Sequence, residues 1–473
     1  MALDLKALYD ASPIAIQNVM VSVQGWQFAY RRWDPAFVRD LVEQLLESQW
    51  WPANQFRAYQ NEKLHAHVRF AGERIPYYRF LFRREGIDPN QIRTCDDLKR
   101  IPILEKAVVR QRPEQFLVDG RPHKGWRKGH TSGTTGAPLD VYTTRESFSQ
   151  HWSFICRLRA WGGLPDPIFP RRVQFSGRDI VPMRQPAGRK VFWRHNIPGK
   201  ALVCSTAHLT LENAPHYVKA IREFRPEVFE GYPSAMLFIG RVGRSLNLDL
   251  PRPIAILPTA ETLFPEWRDE LEDLYQCSIH NQYASSDMSS FWSSCEHGVL
   301  HKNPEYGISE IVRSDGSAVE PGEEGDVVAT AFVKREQVLI RYRIGDRAIR
   351  GTDDLCACGR QMPRVEQVTG RVEDMLYIPG RGYVRAWANA FKLVTDVLEM
   401  QVVHESLDRL RVRVATQPGW GARTRANLES VLRLKVGDDI ALEIEEVDAI
   451  PRGANGKFRP VVSLCQDQYP DTM

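Results

Sequence analysis

The chain has few cysteines and no long hydrophobic run, and each shortage excludes a class of protein. It has 473 residues and eight cysteines. The cysteines stand at positions 95, 156, 204, 277, 295, 356, 358 and 465. Because they are so sparse, we expect no disulfide framework and a reducing compartment. The longest uncharged stretch, residues 11–30, contains glutamine, asparagine, serine and proline, so it is too polar to span a membrane.

No targeting segment is predicted, and the chain has no large excess of one charge. Its first residues show no basic segment leading into an apolar core, so no secretory signal is predicted. With 63 basic and 59 acidic residues the net charge is +4, and the arginines are spread along the chain. Nucleic-acid binding is therefore not expected. These absences predict a cytoplasmic protein without a membrane span.

Short apolar segments and helical patterns alternate between about residues 170 and 335. The apolar segments lie at 201–204 and 253–257, and the helical patterns at 215–224 and 265–275. This alternation predicts an α/β fold with layered, largely parallel sheets. The length of the chain favours two or three domains.

The pattern changes near residue 370, where we predict a domain boundary. Residues 1–369 would form a large N-terminal domain, and 370–473 a small α+β domain. The small domain is predicted to contain a helix at 421–434 and strands at 401–404, 409–415 and 440–447. In the large domain we also predict a helical region at 34–70 and two strands within 326–343, joined by a Lys-Arg-Glu turn.

A loop rich in hydroxyl groups and glycine is the most informative segment of the chain. It reads Thr-Ser-Gly-Thr-Thr-Gly, that is Thr131, Ser132, Gly133, Thr134, Thr135 and Gly136. Glycines let a backbone approach an anion closely, and hydroxyl and N–H groups donate to phosphate oxygens. The ending differs from the Gly-Lys-Ser/Thr of a P-loop, so that class is disfavoured. A plain surface loop is the alternative.

Cysteine and histidine residues suggest a structural metal site. Cys295 is followed by His297 and His301, and a Cys-Ala-Cys-Gly turn brings Cys356 and Cys358. Three thiolates and one imidazole form a tetrahedral zinc set with no open position for chemistry. Either histidine would complete the set. The alternative is a group of buried thiols with surface histidines.

Eleven ordered segments identify a family. The chain resembles the phenylacetate–CoA ligase family of adenylate-forming enzymes, and most of all its capsule-biosynthesis-associated branch. The likeness covers about residues 65–462. It rests on segments 75–79, 86–89, 97–98, 101–106, 131–136, 231–234, 260–261, 283–287, 342–346, 370–371 and 455–457. Each segment alone is weak, and the ordered set carries the resemblance.

The resemblance implies an ATP-dependent acid–thiol ligase. A carboxylate, typically of an aromatic acid, attacks the α-phosphorus of ATP, and the thiol of coenzyme A then displaces AMP to give an acyl-CoA. Mg²⁺ accompanies ATP, and zinc occupies the cysteine site with His301 as the imidazole ligand. The α/β adenylate-forming domain would bind ATP and the acid, and the small domain would act as a mobile lid. The partners are small molecules, and a homodimer is left open.

The resemblance also assigns roles to individual residues. Lys457 and Asp287 are the catalytic candidates, with Asp287 holding magnesium and Glu373 at the hinge between the domains. The acyl pocket takes Tyr232, Pro233, Ser234 and Ala260. The candidate nucleotide-binding residues are Thr131, Ser132, Gly133, Thr134, Thr135, Gly136, Glu261, Tyr283, Ser286, Asp346 and Arg371. Of these, Tyr283 would stack on adenine and Asp346 would bind the ribose. Without the family, Tyr283 would be a core tyrosine, Asp287 a helix N-cap, Asp346 a turn residue and Lys457 an exposed lysine.

The chain departs from the family pattern at Ala137, Ala284, Asp287 and Ile344. These departures keep two other functions open. One is adenylation followed by transfer to an amine, a sugar hydroxyl or a carrier-protein thiol, in polysaccharide or secondary-metabolite biosynthesis. The other is an inactive nucleotide-binding paralogue. The two differ from a CoA ligase in an assay of pyrophosphate release with and without coenzyme A.

Overall fold

The computed structural model describes residues 5–131, 139–182, 188–371, 376–384, 396–417, 419–453 and 456–469. The α-helices are α1 (Leu5–Ala11), α2 (Ile14–Arg32), α3 (Pro35–Ser48), α4 (Ala53–Arg74), α5 (Pro76–Glu85), α6 (Lys106–Gln111), α7 (Arg145–Trp161), α8 (Ala214–Phe224), α9 (Pro233–Ser245), α10 (Pro265–Tyr275) and α11 (Ala422–Val436). Short 3₁₀ helices lie at Pro89–Gln91, Asp97–Arg100, Pro113–Phe116, Val118–Gly120 and Gln466–Gln468. Within these described ranges, no helix combines the length and the apolar character that a membrane crossing requires.

The strands of the described residues fall into five sheets. In chain order they are β1 (Arg127–His130), β2 (Asp140–Thr143), β3 (Arg172–Ser176), β4 (Trp193–Asn196), β5 (Ala201–Ser205), β6 (Val228–Gly231), β7 (Ala255–Pro258), β8 (Ser278–Ile279), β9 (Gln282–Ala284), β10 (Phe291–Ser294), β11 (Leu300–Lys302), β12 (Gly307–Val312), β13 (Glu324–Ala331), β14 (Tyr342–Arg350), β15 (Arg364–Arg371), β16 (Leu376–Ile378), β17 (Gly382–Val384), β18 (Val397–Ser406), β19 (Arg409–Thr416), β20 (Ala441–Val447) and β21 (Val461–Ser463). The chain forms two compact units. The first comprises Met1–Gln24, Arg171–Ile279 and Arg371–Met473, and the second Gly25–Pro170 and His280–Gly370.

The first unit is built on a six-stranded sheet of order β4-β5-β3-β6-β7-β8. All its strand pairs are parallel except β4 with β5. Helices α8, α9 and α10 alternate with the strands, and a proline opens the first turn of each, where its missing N–H costs nothing. The predicted α/β class is confirmed, because crossover helices and parallel strands alternate here as the apolar pattern indicated.

The last third of the first unit has a smaller sheet, of order β20-β19-β18-β21, with helix α11. Met400, Val402, Leu428 and Leu432 are among the side chains of its own core. Four residues of this part depart from it, because Leu398, Ala415, Ile450 and Phe458 are buried in the core of the six-stranded sheet. The predicted boundary at residue 370 stays a prediction.

The second unit contains a seven-stranded sheet of order β12-β13-β14-β15-β11-β10-β9. Every pair with a described register runs antiparallel. Helices α4 and α5 pack on it through side chains such as Leu64, Tyr78 and Phe82, in one core with Trp292 and Tyr342. Strands β1 and β2 form a separate antiparallel hairpin.

Two predicted elements were wrong in their bounds. The helical region at 34–70 is two helices, because Pro52 interrupts the ladder between α3 and α4 and no side chain caps the second helix there. The second strand predicted within 326–343 begins at Tyr342 and runs to Arg350. The residues before it are irregular backbone with buried polar side chains: Lys334, Glu336 and Gln337 are each less than 5% exposed. The segment predicted as a Lys-Arg-Glu turn therefore carries buried polar side chains.

Candidate active site

Tyr283 and Asp346 meet in the second unit. Tyr283 lies on β9 and Asp346 on β14, and the tyrosine hydroxyl donates to Oδ2 of the aspartate at 2.7 Å. The Tyr283 ring packs on Trp292 with the ring centroids 4.3 Å apart. A half-buried aromatic ring is thereby fixed beside a carboxylate, which suits a flat base and a pair of hydroxyl groups.

Asp287 is held inside a tight turn of the same unit. Its Oδ1 accepts from the Ser285 hydroxyl at 2.7 Å and from the Ser289 N–H at 3.1 Å, and the residue is 2% exposed. No helix begins at Asp287, so the N-cap alternative is wrong. Met288 adopts a left-handed conformation, with φ of 59°, which closes the turn. Ser286 lies on its exposed side.

Two polar residues near Asp287 were not among the predicted site residues. The Lys334 ammonium donates to the Asp287 carbonyl at 3.0 Å and to Oε1 of Gln337 at 3.2 Å. Burial lowers the pKa of Lys334. Tyr342 is fully buried, and burial followed by the charges of Asp287 and Asp346 raises the pKa of its phenol. No local signal marked Lys334, because its neighbours in sequence are charged and read as a surface turn.

The candidate acyl-pocket residues follow β6 in the first unit. Gly231 has φ of +123°, and a Cβ there would lie 1.9 Å from the Phe175 carbonyl oxygen, so only glycine fits. The next residue, Tyr232, is 8% exposed, and Pro233 and Ser234 begin α9. This close packing fixes where the helix starts at the end of a parallel strand, the edge at which α/β sites collect.

The Glu261 carboxylate links the start of α9 to the residue that follows Lys457. Its Oε2 accepts from the Ser234 N–H at 3.2 Å, and its Oε1 accepts from the Phe458 N–H at 2.7 Å. Burial raises the pKa of Glu261, and Arg452 opposes that shift. The preceding Ala260 is exposed and left-handed, with φ of 70°. Both carboxylate oxygens therefore bind backbone groups, which the predicted nucleotide role did not anticipate.

The segment that carries Lys457 lies against the six-stranded sheet of its own unit. The Gly456 carbonyl accepts from the Thr206 hydroxyl at 3.0 Å, and Gly456 N–H donates to Gly453 at 2.7 Å. Gly456 has φ of +70°, and a Cβ would lie 2.1 Å from the Gly177 Cα. Lys457 itself is half-buried. The backbone at Gly456 is thus closely fitted to its surroundings.

The four candidate zinc ligands lie together in the second unit. Donor atoms of Cys295, His301, Cys356 and Cys358 are all within 4.8 Å of one another, and all four residues are buried. The Sγ atoms of Cys295 and Cys356 are 3.9 Å apart, and Cys358 Sγ is 3.5 Å from His301 Nε2. A tetrahedral zinc with ordinary bond lengths requires about 3.8 Å between sulfurs and about 3.6 Å from sulfur to nitrogen.

The tautomer of His301 also suits a metal ligand. Nδ1 lies 3.1 Å from the Met362 carbonyl, to which it donates, so Nε2 is the nitrogen left to bind. Burial lowers the pKa of His301 to about 4, which keeps the ring neutral. His297 is exposed and lies outside this group. Among the described residues, His301 is therefore the histidine whose ring lies with the three cysteines.

Several predicted residues lie outside the described part of the chain. These are Ser132, Gly133, Thr134, Thr135, Gly136 and Glu373. Of the first loop, Thr131 is described: its N–H donates to the Leu139 carbonyl, and its hydroxyl accepts from the Leu139 N–H, each at 3.0 Å. Arg371 is the last residue of β15.

The fold is that of the adenylate-forming ligases. The structure superposes on 2-hydroxyisobutyryl-CoA ligase in the postadenylation state with a TM-score of 0.70 at 20% identity, covering 88% of this chain and 91% of that one. The resemblance to phenylacetate–CoA ligases and to their capsule-associated branch is confirmed by relatives that span most of the chain. Residues 376–464 match the CapK C-terminal domain family.

Two curated relatives show the range of this likeness. Protein CapK of Staphylococcus aureus is 28% identical over 461 residues, covering 96% of this chain and 98% of the relative. The phenylacetate–coenzyme A ligase of Thermus thermophilus is 27% identical over 338 residues, covering 70% of this chain and 73% of the relative.

Proposed function

We propose that the protein activates a carboxylic acid with ATP and transfers the acyl group to coenzyme A. A carboxylate oxygen of the acid attacks the α-phosphorus, and the bond to pyrophosphate breaks. The sulfur of coenzyme A then attacks the acyl carbon, and AMP leaves. An aromatic acid is the substrate class that the family resemblance favours.

One observation carries this proposal, the hydrogen bond from Tyr283 to Asp346. It joins an aromatic ring and a carboxylate that are 63 residues apart in the chain. The ring would stack on adenine, and the carboxylate would accept from the ribose hydroxyls. Because the hydrogen bond and Trp292 already hold the ring, little side-chain freedom is lost when the nucleotide binds.

Asp287 would hold magnesium with the phosphates. A single carboxylate oxygen is an appropriate contribution, because Mg²⁺ prefers oxygen ligands and completes its shell with phosphates and water. Bound there, magnesium neutralises phosphate charge. The Ser285 and Ser289 hydrogen bonds orient the carboxylate, and the Lys334 contact with the Asp287 carbonyl fixes the backbone.

Lys457 would supply positive charge at the α-phosphate and the attacking carboxylate. Such charge stabilises the transition state more than the separated anions. Gly456, with φ of +70°, supplies the left-handed backbone beside Lys457, and its N–H donates to the Gly453 carbonyl at 2.7 Å. The acid would lie at the start of α9, near Tyr232 and Ser234.

We also propose a structural zinc ion at Cys295, His301, Cys356 and Cys358. These residues come from the end of β10, from β11 and from the connection between β14 and β15. Zinc would therefore tie the strand next to Tyr283 to the segment that follows Asp346. Four protein ligands leave no open position, so the ion would stabilise the site and take no part in the reaction.

A different acceptor is the second candidate function. It is favoured by the coverage of Protein CapK, 98% of which aligns with this chain, whereas the Thermus thermophilus ligase aligns over 73% of its length. In this case the acyl-adenylate would pass to an amine, a sugar hydroxyl or a carrier-protein thiol. The first half-reaction would be unchanged.

The test is pyrophosphate release from ATP across a panel of aromatic, hydroxy and short-chain acids, each with and without coenzyme A. Release with one acid, together with a thioester product, would support the CoA ligase. Release that is indifferent to coenzyme A would favour another acceptor. No release with any acid, from protein that binds ATP, would contradict the proposal and favour an inactive paralogue.

A further inference from the structure

We propose that Glu261 is a positioning residue that holds the Lys457 loop in place for the first half-reaction. The inference rests on the proposed function, because it assigns Lys457 to adenylation. It gives Glu261 a role that is different from nucleotide contact. The carboxylate acts on the reaction through the backbone of the residue that follows Lys457.

The geometry of the carboxylate carries the first step. Oε1 accepts from the Phe458 N–H at 2.7 Å, and Oε2 accepts from the Ser234 N–H at 3.2 Å. Hydrogen bonds to an ionised acceptor are about twice as strong as neutral ones. One side chain therefore fixes the loop of Lys457 relative to the first turn of α9, where the candidate acyl pocket begins.

Close packing of the residues on both sides of Lys457 restricts the position of the loop. Phe458 is 5% exposed and lies in the core of the six-stranded sheet, beside Trp267. The guanidinium of Arg452 lies over its ring at 5.1 Å. Gly456 packs on Gly177, where a Cβ would be 2.1 Å from Cα. Lys457 thus lies between two closely packed residues, Gly456 and Phe458, and the second of these donates to Glu261.

Further ion pairs and hydrogen bonds also hold the surrounding segment. Arg452 forms a buried ion pair with Glu399 at 2.5 Å. Arg241 pairs with Glu270 at 2.6 Å and also donates to the Leu398 carbonyl. Loss of the Glu261 carboxylate alone should therefore shift the backbone around Lys457, while the contacts of Arg452 and Arg241 keep the neighbouring residues in place. The expected defect is in the rate of adenylation.

A loop that withdraws after adenylation would break the Phe458 hydrogen bond. Glu261 would then contribute to the first half-reaction and not to the second. This separates a positioning role from a general structural role, since a misfolded variant would lose both. The same kinetic pattern also distinguishes a positioning residue from a nucleotide ligand, because loss of a nucleotide ligand raises KM for ATP.

The experiment uses Glu261→Gln, with Glu223→Gln on the exposed side of α8 as the matched control. With the acid that the wild type accepts best, we expect kcat for pyrophosphate release to fall about tenfold or more, which is the loss of one charge-assisted hydrogen bond. KM for ATP and the formation of thioester from supplied acyl-adenylate should stay near wild-type values. Amide hydrogen exchange at Phe458, measured on the protein alone, should become faster.

A second variant tests the packing of Gly456, the residue before Lys457. Gly456→Ala forces a Cβ against Gly177, whereas Gly380→Ala has a similar φ of +76° and open space around it. Gly456→Ala should reproduce the selective loss of adenylation, and Gly380→Ala should not. Both variants strain a left-handed backbone, but only Gly456→Ala adds a steric clash. The difference between the two variants therefore measures the effect of the clash.

Several outcomes would overturn the inference. They are unchanged kinetics for Glu261→Gln, equal loss of both half-reactions, a raised KM for ATP with unaltered kcat, or unchanged exchange at Phe458. If the wild type releases no pyrophosphate with any acid, the proposed function fails. Hydrogen exchange would still decide in that case whether Glu261 holds the Phe458 amide.

Discussion

The Tyr283 hydroxyl donates to the Asp346 carboxylate at 2.7 Å, so one hydrogen bond joins the strands β9 and β14 across the sheet of the second unit. In the order of the sheet, β15, β11 and β10 stand between these two strands. Neither residue alone distinguishes a binding site from an ordinary core. Their contact presents a ring and an anion side by side, and on this arrangement the proposed nucleotide site rests.

Asp346→Ala should weaken ATP binding. Loss of two hydrogen bonds from ribose to a charged acceptor would raise KM for ATP roughly tenfold to a hundredfold. Tyr283→Phe keeps the ring and removes only the hydroxyl, so its effect should be a few-fold. Asp315→Asn, an exposed turn aspartate in the same unit, is the control. An unaltered KM in Asp346→Ala, measured by pyrophosphate release, would show that Asp346 has a structural role only.

Lys457→Ala should abolish adenylation while a thioester still forms from supplied acyl-adenylate. The reason is that the ammonium would act on the α-phosphate, and no phosphoryl chemistry remains in the second step. Pyrophosphate release and thioester formation are measured separately. Lys219→Ala, an exposed lysine on α8, should change neither. Loss of both half-reactions in a folded Lys457→Ala protein would contradict the assigned role.

The sequence predicted those elements whose periodicity agrees with their packing. Helix α10 lies at Pro265–Tyr275 as predicted, because Trp267, Leu271 and Leu274 share its buried face. Strands β18 and β19 and helix α11 lie close to their predicted positions for the same reason. Local pattern and tertiary environment agree in these elements, so the pattern was sufficient.

The sequence could not predict buried polar groups whose partners are far away in the chain. Glu336 accepts from the Ser147 hydroxyl at 2.5 Å, and Gln337 donates to the Asp140 carbonyl at 2.9 Å. These partners are nearly two hundred residues away, and only with them is burial of the polar segment tolerable. The same limit applies to Glu261, whose two acceptor bonds depend on Ser234 and Phe458.

Cys356→Ser should release zinc and lower the melting temperature. A hydroxyl is a poor replacement for a thiolate ligand, and the buried Cys295, His301 and Cys358 would lose their common partner. Zinc content by mass spectrometry and thermal unfolding are the two measurements. Cys95→Ser, at a half-buried cysteine outside the cluster, should keep its zinc. A wild type that purifies without zinc and a variant with an unchanged melting temperature would together refute the site.

The stability of the second unit should depend on pH through His151. Burial lowers the pKa of His151 to about 4, and Lys334 adds to the shift. Its Nδ1 donates to the Tyr306 hydroxyl at 3.0 Å, and Tyr306 donates to the Met288 carbonyl beside Asp287 at 3.1 Å. A neutral imidazole with its proton on Nδ1 satisfies this chain of hydrogen bonds.

The direction follows from the two protonation states. In the unfolded chain His151 takes a proton near pH 6.5, whereas in the folded protein it stays neutral down to about pH 4. The unfolded state therefore gains protons first, so this contribution to stability is complete above pH 6.5. It is lost as the pH falls towards 4, by up to about 3 kcal/mol.

His151→Asn should reduce the pH dependence of thermal unfolding between pH 6.5 and 4. The asparagine amide can still donate to Tyr306 but does not titrate. His67, whose pKa burial likewise lowers to about 4, should maintain part of the slope in the variant. His216→Asn, on the half-exposed side of α8, should leave the slope unchanged. If His151→Asn destabilises the protein equally at every pH, the imidazole contributes by packing alone, and its titration is not coupled to folding.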